Sequence, residues 1–402
     1  MNSSPRRFLG LTARELTIVI GIGVIGCVLL GVIAFFISRA GSAIGTAIND
    51  AAIATREATR IPRTTAPTAT LSPTATPVPS STPTPLPTAT PTPQPGLSVS
   101  VPLPPSSVFN SAGWEVRVLE VQRGDAAAQA IKAANQFNAP APEGREYVLV
   151  RVRVKSVHTD QASHEIRAGD FRLVGGQRVE YFSASVVVPE PRLNVEIFAG
   201  GEVEGWLVFE TVKAEDRLIL IWDPLSDTDT QRVYVALTEG AALPIDPQLD
   251  QITPTDRGRT REQPVSVGEA ATTDDWIVSV LDSVRGDAAW SMVKSVNQFN
   301  DLPEAGMEYV AIRVRVRYIK SEDETSRIDS GWFKLIGDSN VMHASPSVVD
   351  PEPALDATLF PGGEIEGWIV MQAKVDESDL LLVFDPLFDT DHNNRRFLTL
   401  PH

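Results

Sequence analysis

The chain has 402 residues and a net charge of −16, with an isoelectric point near 4.8, and 43% of its residues are hydrophobic. This acidity argues against binding to nucleic acid, because a phosphate backbone requires a basic surface. Cys27 is the only cysteine, so an intramolecular disulfide is excluded and any folded domain must rely on a hydrophobic core, with or without bound ions.

Residues 16–38 form a long apolar stretch without a charged side chain. A bilayer core requires about 20 apolar residues, so this stretch is predicted to be a single transmembrane helix. Three arginines precede it and Arg39 alone follows it directly. The excess of positive charge on the first side predicts that residues 1–15 are cytoplasmic and that the rest of the chain lies outside the cell membrane.

Two other interpretations of this stretch stay open. It could be a cleaved secretory signal with a weak site near Ala40, although its apolar core exceeds the length of about 7–15 residues typical of such signals. It could also be a lipoprotein signal, since Val24–Cys27 resembles a lipobox. Apolar sequence continues past Cys27, where a mature lipoprotein usually has a polar tether. We therefore favour the retained anchor.

Residues 39–96 are predicted to form a stalk, Ala-rich at first and then rich in proline and threonine. From Thr64 to Gly96 the sequence carries no charge. Dense proline prevents helix and sheet and favours a disordered, extended polyproline II chain of about 3.1 Å per residue, so this part would span roughly 100 Å. We expect the stalk to hold the following domains away from the lipid.

The remaining sequence contains an internal repeat with a shift of 162 residues. Trp114–Leu119 returns as Trp276–Leu281, and the motifs RGDAA, NQFN, PEP and GGE(V/I)EGW recur without a gap at the same shift. The chain is therefore predicted to hold two copies of one domain, called the first repeat (residues 97–240) and the second repeat (residues 263–402). A linker at residues 241–262 joins them.

Each repeat is predicted to be mostly β. Short segments that alternate apolar and polar residues, such as Val148–Lys155, recur between turn residues, which is typical of an immunoglobulin-like antiparallel β-sandwich. One segment differs in each copy. Residues 125–137 and 287–299 are predicted to be a short inserted helix, with Asp125 and Asp287 as N-caps.

Several segments resemble a known bacterial extracellular family, the domain of unknown function 4352. The segments in question are Ile166, Phe171–Val174, Gly201–Phe209 and the lead-in Pro264–Gly268. The resemblance covers both repeats and implies a telokin-like, immunoglobulin-like sandwich in a secreted or membrane-anchored protein. The inserted helix is not among the general features of that family. The family has no established catalytic residues, so the resemblance assigns no activity.

The sequence has no Gly-x-Ser-x-Gly elbow, no His-Glu-x-x-His and no phosphate-binding Gly-rich loop. We therefore predict a chain that is not an enzyme and needs no cofactor, with an envelope hydrolase that uses surface carboxylates as the alternative. The Arg-Gly-Asp triplets that begin at Arg123 and Arg285 resemble integrin ligands. We favour a structural role for them at the start of the inserted helix.

A repeated group of acidic and aromatic residues is the first candidate ligand site. Strand periodicity places two glutamates and a tryptophan on the face opposite the core in each repeat. An exposed tryptophan beside carboxylates suits a sugar ring or a cationic group. Alternatively, Gly205 and Gly367 form β-bulges that bury each tryptophan, which is the interpretation we favour. The residues are Glu202, Glu204, Trp206, Glu364, Glu366 and Trp368.

An acidic loop is the second candidate site. Asp227 and Asp229 in the first repeat, and Asp389 and Asp391 in the second, follow a strand. Ca²⁺ prefers about six to eight oxygen ligands, which such loops supply. No closing glutamate completes an EF-hand, and Asp-Pro commonly opens a turn, so we favour a turn, with Ca²⁺ as the alternative.

Together these features predict a single-pass membrane protein with a cytoplasmic N-terminus. It would display two immunoglobulin-like sandwiches outside the cell and either bind a protein or glycan there or serve as a structural module of the envelope.

Overall fold

The computed structural model describes residues 94–224, 231–386 and 389–401, all within one compact unit, Thr88–His402. The predicted cytoplasmic segment, the membrane span at residues 16–38 and nearly all of the stalk lie outside the described residues. Within the described ranges, no helix is both long enough and apolar enough to cross a membrane.

In its described part, the first repeat has ten strands, one α-helix and a 3-10 turn at Ala168–Asp170. The helix, α1 (Gly124–Ala134), lies between β2 and β3. The strands are β1 (Val108–Ser111), β2 (Trp114–Gln122), β3 (Arg145–Ser156), β4 (Ser163–Arg167), β5 (Phe171–Val174), β6 (Glu180–Tyr181), β7 (Asn194–Phe198), β8 (Glu202–Val212), β9 (Ile219–Trp222) and β10 (Val233–Ala236).

The described part of the second repeat has the same inventory. Its helix, α2 (Asp287–Val296), lies between β12 and β13, and a 3-10 turn covers Ser330–Trp332. A further 3-10 turn, Pro247–Gln251, belongs to the linker. The strands are β11 (Ala271–Thr272), β12 (Trp276–Arg285), β13 (Met307–Tyr318), β14 (Ser326–Asp329), β15 (Phe333–Ile336), β16 (Met342–Ala344), β17 (Asp356–Leu359), β18 (Glu364–Lys374), β19 (Leu381–Phe384) and β20 (Arg396–Thr399).

The two repeats have the same strand order. In the first, β1-β2-β3-β8 and β10-β9-β5-β6 are four-stranded sheets, and β4 pairs with β7. In the second, the corresponding sheets are β11-β12-β13-β18 and β20-β19-β15-β16, and β14 pairs with β17. All of these neighbouring strands are antiparallel. The predicted mostly-β fold with antiparallel sheets and inserted helices is confirmed.

The shift between the repeats changes near the end of the chain. Ile219 pairs with Ala236, whereas its counterpart Leu381 pairs with Thr399, one residue beyond the position that a constant shift predicts. The loop before β20 is therefore one residue longer than the loop before β10, and Tyr234 corresponds to Phe397. The constant shift of 162 residues between the repeats is therefore wrong beyond this loop.

Alternation along the strands places one apolar face of each sheet in a shared core. On β3, every second residue from Val148 to Val154 is buried between the sheets of the first repeat, as the sequence predicts. The other main contributors are Val116, Leu207 and Phe209 from the same sheet and Phe171, Leu173, Leu220 and Trp222 from the opposite one.

The inserted helix packs on the outer face of the longer sheet. Ala127 and Ile131 of α1 lie against Leu149 of β3, and Ala289 and Val293 make the corresponding core in the second repeat. Both helices end three residues earlier than predicted.

The predicted N-caps are wrong. Asp125 lies inside the first turn of α1, whose N-cap is Arg123, and Asp287 is the first residue of α2, after the N-cap Gly286. The carboxylate of Glu146 takes over the capping role in the first repeat, since it accepts hydrogen bonds from the backbone of Gly124 and from the guanidinium of Arg123.

The second repeat reaches into the first through Phe360. This side chain is 1% exposed and lies in a cluster with Val174, Ile221 and Tyr234 of the first repeat. Its backbone N–H donates to the carbonyl of Arg178 at 2.9 Å. The two repeats therefore share one small hydrophobic cluster.

Candidate functional site

The outer faces of β3 and β8 bring together the predicted acidic and aromatic residues. The register is continuous from Arg145 to Lys155, with Arg151 opposite Trp206 and Arg153 opposite Glu204. The same unbroken register joins β13 and β18. The bulge predicted at Gly205 is therefore absent, and the glutamates share a face with Trp206, as strand periodicity requires.

Arginines on β3 engage the carboxylates of this face. Glu204 bridges Arg151 and Arg153 at 2.7 Å each, and Arg153 also lies 3.4 Å from Glu202. The hydrogen bond from Arg153 keeps the pKa of Glu204 below its usual range. Both arginines therefore pair with Glu204, whose side chain is 28% exposed, and Glu202 is the more exposed of the two carboxylates at 48%.

The second repeat has the same ion-pair ladder. Glu366 pairs with Arg313 at 2.7 Å and with Arg315, which also lies 3.6 Å from Glu364. The hydrogen bond from Arg315 likewise lowers the pKa of Glu366. Such partly exposed ion pairs contribute about 0–1 kcal/mol each, so the ladder orders the face more than it stabilises the fold.

The tryptophans of this face are covered by the inserted helix. Trp206 is 9% exposed and packs with Ala127 and Ile131 of α1, while the guanidinium carbon of Arg151 lies 5.9 Å from its ring centre. Trp368 is half-buried against α2. An exposed platform for a sugar ring is therefore not formed. Trp206 is buried, and Trp368 half-buried, for a different reason from the one predicted: a helix packs over each of them, and no bulge turns them inward.

The acidic loop is described only in part. Asp227 and Asp229 lie outside the described residues. Asp389 accepts a hydrogen bond from the backbone N–H of Asn394 at 2.6 Å, and Asp391 is exposed. In the described ranges, no group of three or more histidine, cysteine or acidic side chains could hold a metal ion. The described half of the loop is built as a turn.

Asp385, which the sequence places at the start of this acidic loop, is a structural anchor. Its carboxylate pairs with Arg395 at 2.9 Å, with Lys334 and with His392. Burial opposes its ionisation, but hydrogen bonds from Arg395 and Lys334 outweigh burial and lower the pKa of Asp385 to about 2. Asp223 of the first repeat pairs with Arg232 at 2.8 Å in the same way.

Two serine–histidine arrangements bear on the hydrolase alternative. Ser156 lies 3.1 Å from His158, but Ser156 is 1% exposed and out of reach of a substrate. Ser339 and His343 both bind the buried carboxylate of Glu377, so the histidine is not directed at the serine. Neither arrangement presents an activated nucleophile to solvent.

The most exposed aromatic side chains in the described structure occupy equivalent positions in the NQFN motif. Phe137 is 83% exposed and Phe299 is 82% exposed. Each is the third residue after its helix, on a turn where the backbone N–H of the phenylalanine donates to the side-chain oxygen of Asn135 or Asn297, at 3.0 and 3.1 Å. Sequence reasoning missed this pair because it assigned the motif to the helix.

The second asparagine of the motif clamps this turn to a distant loop. The side-chain amide of Asn138 donates to the carbonyls of Ile131 and Val187, and its oxygen accepts from the N–H of Val187 at 2.9 Å. Asn300 makes the same three bonds to Val293 and Val349. We call each phenylalanine with its clamping asparagine an aromatic turn.

The Arg-Gly-Asp triplets are bound into the fold. Arg123 pairs with Glu146 at 2.5 Å, and Arg285 pairs with Glu308 and donates to the carbonyls of Lys374 and Val375. Each arginine is therefore engaged with its own repeat.

Comparison with known families supports the resemblance noted in the sequence. Residues 265–394, in the second repeat, match the model of the Domain of unknown function (DUF4352). The resemblance is thus confirmed for the second repeat, and the first repeat shares its strand order. The comparison with curated proteins found no match.

Three solved structures illustrate what this chain is similar to. One is ycdA of Bacillus subtilis subsp. subtilis str. 168, a lipoprotein candidate, with 20% identity and a TM-score of 0.26 over 33% of this chain and 38% of ycdA. Another is yjhA of Bacillus subtilis, with 15% identity and a TM-score of 0.26 over 34% of this chain and 98% of yjhA. A third is a functionally unknown protein from Listeria monocytogenes EGD-e, with 10% identity and a TM-score of 0.24 over 33% of this chain and 82% of that protein.

Proposed function

We propose that this chain is a non-enzymatic binding protein of the cell envelope, in which each repeat presents one aromatic anchor to a protein partner. The observation that carries the proposal is the pair of aromatic turns. Phe137 and Phe299 are more than four-fifths exposed, and the same hydrogen bonds hold both turns. Single exposed apolar residues are common on protein surfaces, but here the exposure and its supporting bonds occur twice.

The chemistry of the turn favours a protein partner over a glycan. Both side-chain atoms of Asn138 that could bond a sugar hydroxyl are already bonded to backbone, and the nearby Val187 is 42% exposed. The surface therefore offers apolar contact on a preorganised support. Aromatic side chains are enriched in protein–protein interfaces, and a rigid anchor loses little conformational entropy on binding.

The proposed location of the two aromatic turns outside the membrane rests on the sequence. The apolar segment 16–38 and the proline-rich stalk would place both aromatic turns outside the membrane, at a distance from the lipid. Two anchors on one chain also allow bivalent binding, in which the second contact forms at a high effective concentration.

Site-specific photo-crosslinking tests this proposal in cells. The full-length chain would carry a photoreactive phenylalanine analogue at position 137 or 299, and the matched control would carry it at Phe182, which is 50% exposed and stacks with Arg172. We expect positions 137 and 299 to yield adducts with the same envelope protein and position 182 to yield none. Equal adducts at all three positions, or none at 137 and 299, would contradict the proposal.

Binding of the captured partner then provides the quantitative check. Truncating an interface anchor typically costs about 2 kcal/mol or more, which is roughly a 30-fold loss of affinity. We expect Phe137→Ala and Phe299→Ala each to weaken binding by about this factor and to leave the melting temperature unchanged. An unchanged affinity in the double variant would refute the role of the aromatic turns.

A further inference from the structure

A pocket of about 380 Å³ opens at one end of the sandwich of the second repeat, and we call it the tryptophan pocket. Its aromatic walls are Trp276 at the start of β12, Tyr318 at the end of β13 and Trp332 in the 3-10 turn before β15. The ring centre of Trp276 lies 4.9 Å from that of Tyr318 and 5.5 Å from that of Trp332. The volume lies within the range of about 300–1,000 Å³ that is common for small-ligand sites.

The charged side chains of the tryptophan pocket are mainly acidic. Asp275, Glu324 and Asp389 contribute carboxylates, and Lys320 is the one basic side chain among the described lining residues. The ammonium group of Lys320 pairs with Glu322 at 3.1 Å and lies 3.9 Å from Glu324. The pocket therefore keeps an excess of negative charge, which attracts a cation.

The carboxylate of Asp275 has no hydrogen-bond donor among the described residues. Asp275 is half-buried, and burial raises its pKa above the ordinary value, while the charge of Lys320 offsets part of this rise. A carboxylate that is withdrawn from water without a donor destabilises the fold. A bound group that donates N–H bonds to Asp275 would remove this penalty.

The hydroxyl of Tyr318 is a second polar group without a partner in the pocket. Tyr318 is 3% exposed and lines the pocket, and no residue in the described ranges bonds its hydroxyl. Burial raises the pKa of this phenol, and the carboxylates of Asp275 and Glu324 add to the rise, so the hydroxyl stays protonated and neutral. Its oxygen can therefore accept a hydrogen bond from a ligand.

The first repeat covers the corresponding tryptophan with its own side chains. Trp114 corresponds to Trp276, and the imidazole of His158 lies edge-on to it, with the ring centres 5.1 Å apart. His158 in turn stacks on His164 at 3.5 Å. The counterparts of these two histidines in the second repeat are a lysine and a serine. A nitrogen-bearing side chain of the chain itself thus packs on Trp114, whereas a pocket lies beside Trp276.

We propose that the tryptophan pocket binds a primary alkylammonium group. Its N–H groups would donate to the carboxylate of Asp275 and to the hydroxyl of Tyr318, and its charge would lie beside the half-buried ring of Trp332. A metal ion suits the pocket less well, because no group of three or more metal-binding side chains occurs in the described ranges. The ammonium group belongs either to a free amine or to a lysine side chain of a peptide, and the test below distinguishes these two sources.

Nuclear magnetic resonance of the full-length chain in detergent tests this proposal, with ¹⁵N in the indoles of its seven tryptophans. The probes are butylammonium, which represents a free amine, and Nα-acetyl-lysine methylamide, which represents a peptide. We expect a saturable shift of the indole signals of Trp276 and Trp332 with both probes, and the probe that binds more tightly identifies the source. The indole signal of Trp114 should not move, because His158 covers that ring.

A neutral probe and two variants show whether charge recognition causes the shift. The neutral counterpart 1-butanol should leave both signals unchanged. Asp275→Asn keeps the shape of the side chain and should weaken butylammonium binding about ten-fold or more, as expected for the loss of a charged hydrogen-bond partner. Asp274→Asn is the matched control, since this neighbouring carboxylate is exposed and does not line the pocket, and it should bind butylammonium like the wild type.

The outcomes are independent of the aromatic turns, which share no residue with the tryptophan pocket. Circular dichroism should show the same folding in both variants, because Asp275 has no hydrogen bond to lose. The proposal would be overturned by the absence of a saturable shift with either probe or by an equal shift with 1-butanol. Unchanged butylammonium affinity in Asp275→Asn, or an equal loss in Asp274→Asn, would overturn it as well.

Discussion

Replacing Trp206 by alanine tests whether the outer face of the long sheet is a core or a ligand platform. The indole is 9% exposed and fills the space between β8 and α1, where it contacts Ala127, Ile131 and Leu149. A ligand could stack on this ring only if the ring were exposed to solvent. Packing of α1 on the sheet instead requires the buried ring to fill the space between them.

The magnitude follows from the buried area. A buried tryptophan removes about 150–250 Å² from water, which corresponds to about 4–6 kcal/mol at about 25 cal/mol per Å². Large-to-small substitutions of buried aromatic residues cost about 3–5 kcal/mol. Because Arg151 covers one side of the ring and can close over part of the cavity, we expect Trp206→Ala to cost about 3–4 kcal/mol.

Urea denaturation and hydrogen exchange of the full-length chain measure this loss. Exchange should rise first in α1, since the helix loses its main contact on the sheet. Trp368→Ala is the matched control, and its half-buried ring should cost less. A loss below about 0.5 kcal/mol for Trp206→Ala, which is the range of ordinary surface substitutions, would refute the packed core.

Three further substitutions have defined expected outcomes. Asn138→Ala should cost about 1–3 kcal/mol in a denaturant titration, because the N–H and carbonyl of Val187 lose their partner and the carbonyl of Ile131 keeps only its bond from the N–H of Asn135. No measurable loss would contradict the clamp. The pKa of Asp385 is lowered to about 2. The stability that its carboxylate contributes is therefore present above its ordinary pKa of 3.8 and is lost as the pH falls towards 2. Asp385→Asn should abolish this pH dependence in thermal melts at acid pH. Burial raises the pKa of Asp350 to about 6, so the stability of the wild type should fall as the pH rises from about 4 to 6. Asp350→Asn should remove that fall and raise the melting temperature at pH 7 above that of the wild type. A melting temperature below that of the wild type would contradict this reasoning.

The parts of the fold that the sequence predicts are those with local signals. Alternation from Val148 to Lys155 identifies the buried face of β3, because a strand in a two-sheet sandwich hides every second residue. Alanine-rich sequence after Gly124 identifies α1. The N-cap prediction failed because Glu146, 22 residues beyond Gly124, supplies the capping carboxylate from a neighbouring strand.

The aromatic turns depend on contacts that no local pattern contains. Exposure of Phe137 follows from the end of α1 and from the clamp between Asn138 and Val187, which are 49 residues apart. The sequence does show NQFN twice, and an apolar residue between two turn-forming asparagines is a signal that could have indicated a turn. It could not have indicated which side chain the turn leaves uncovered.

Gly205 shows how one residue type can have two physical explanations with opposite consequences. A glycine inside a strand indicates either a bulge or a close approach of another chain segment. Here the register is unbroken, and a Cβ at position 205 would lie 2.7 Å from both the Cβ and the backbone nitrogen of Leu193. Gly205 therefore leaves room on the inner face for Leu193, which is 1% exposed in the core, and Gly367 does the same for Leu355. Because the strand stays regular, Trp206 keeps its outward direction, and that outward face gives α1 the surface on which it packs.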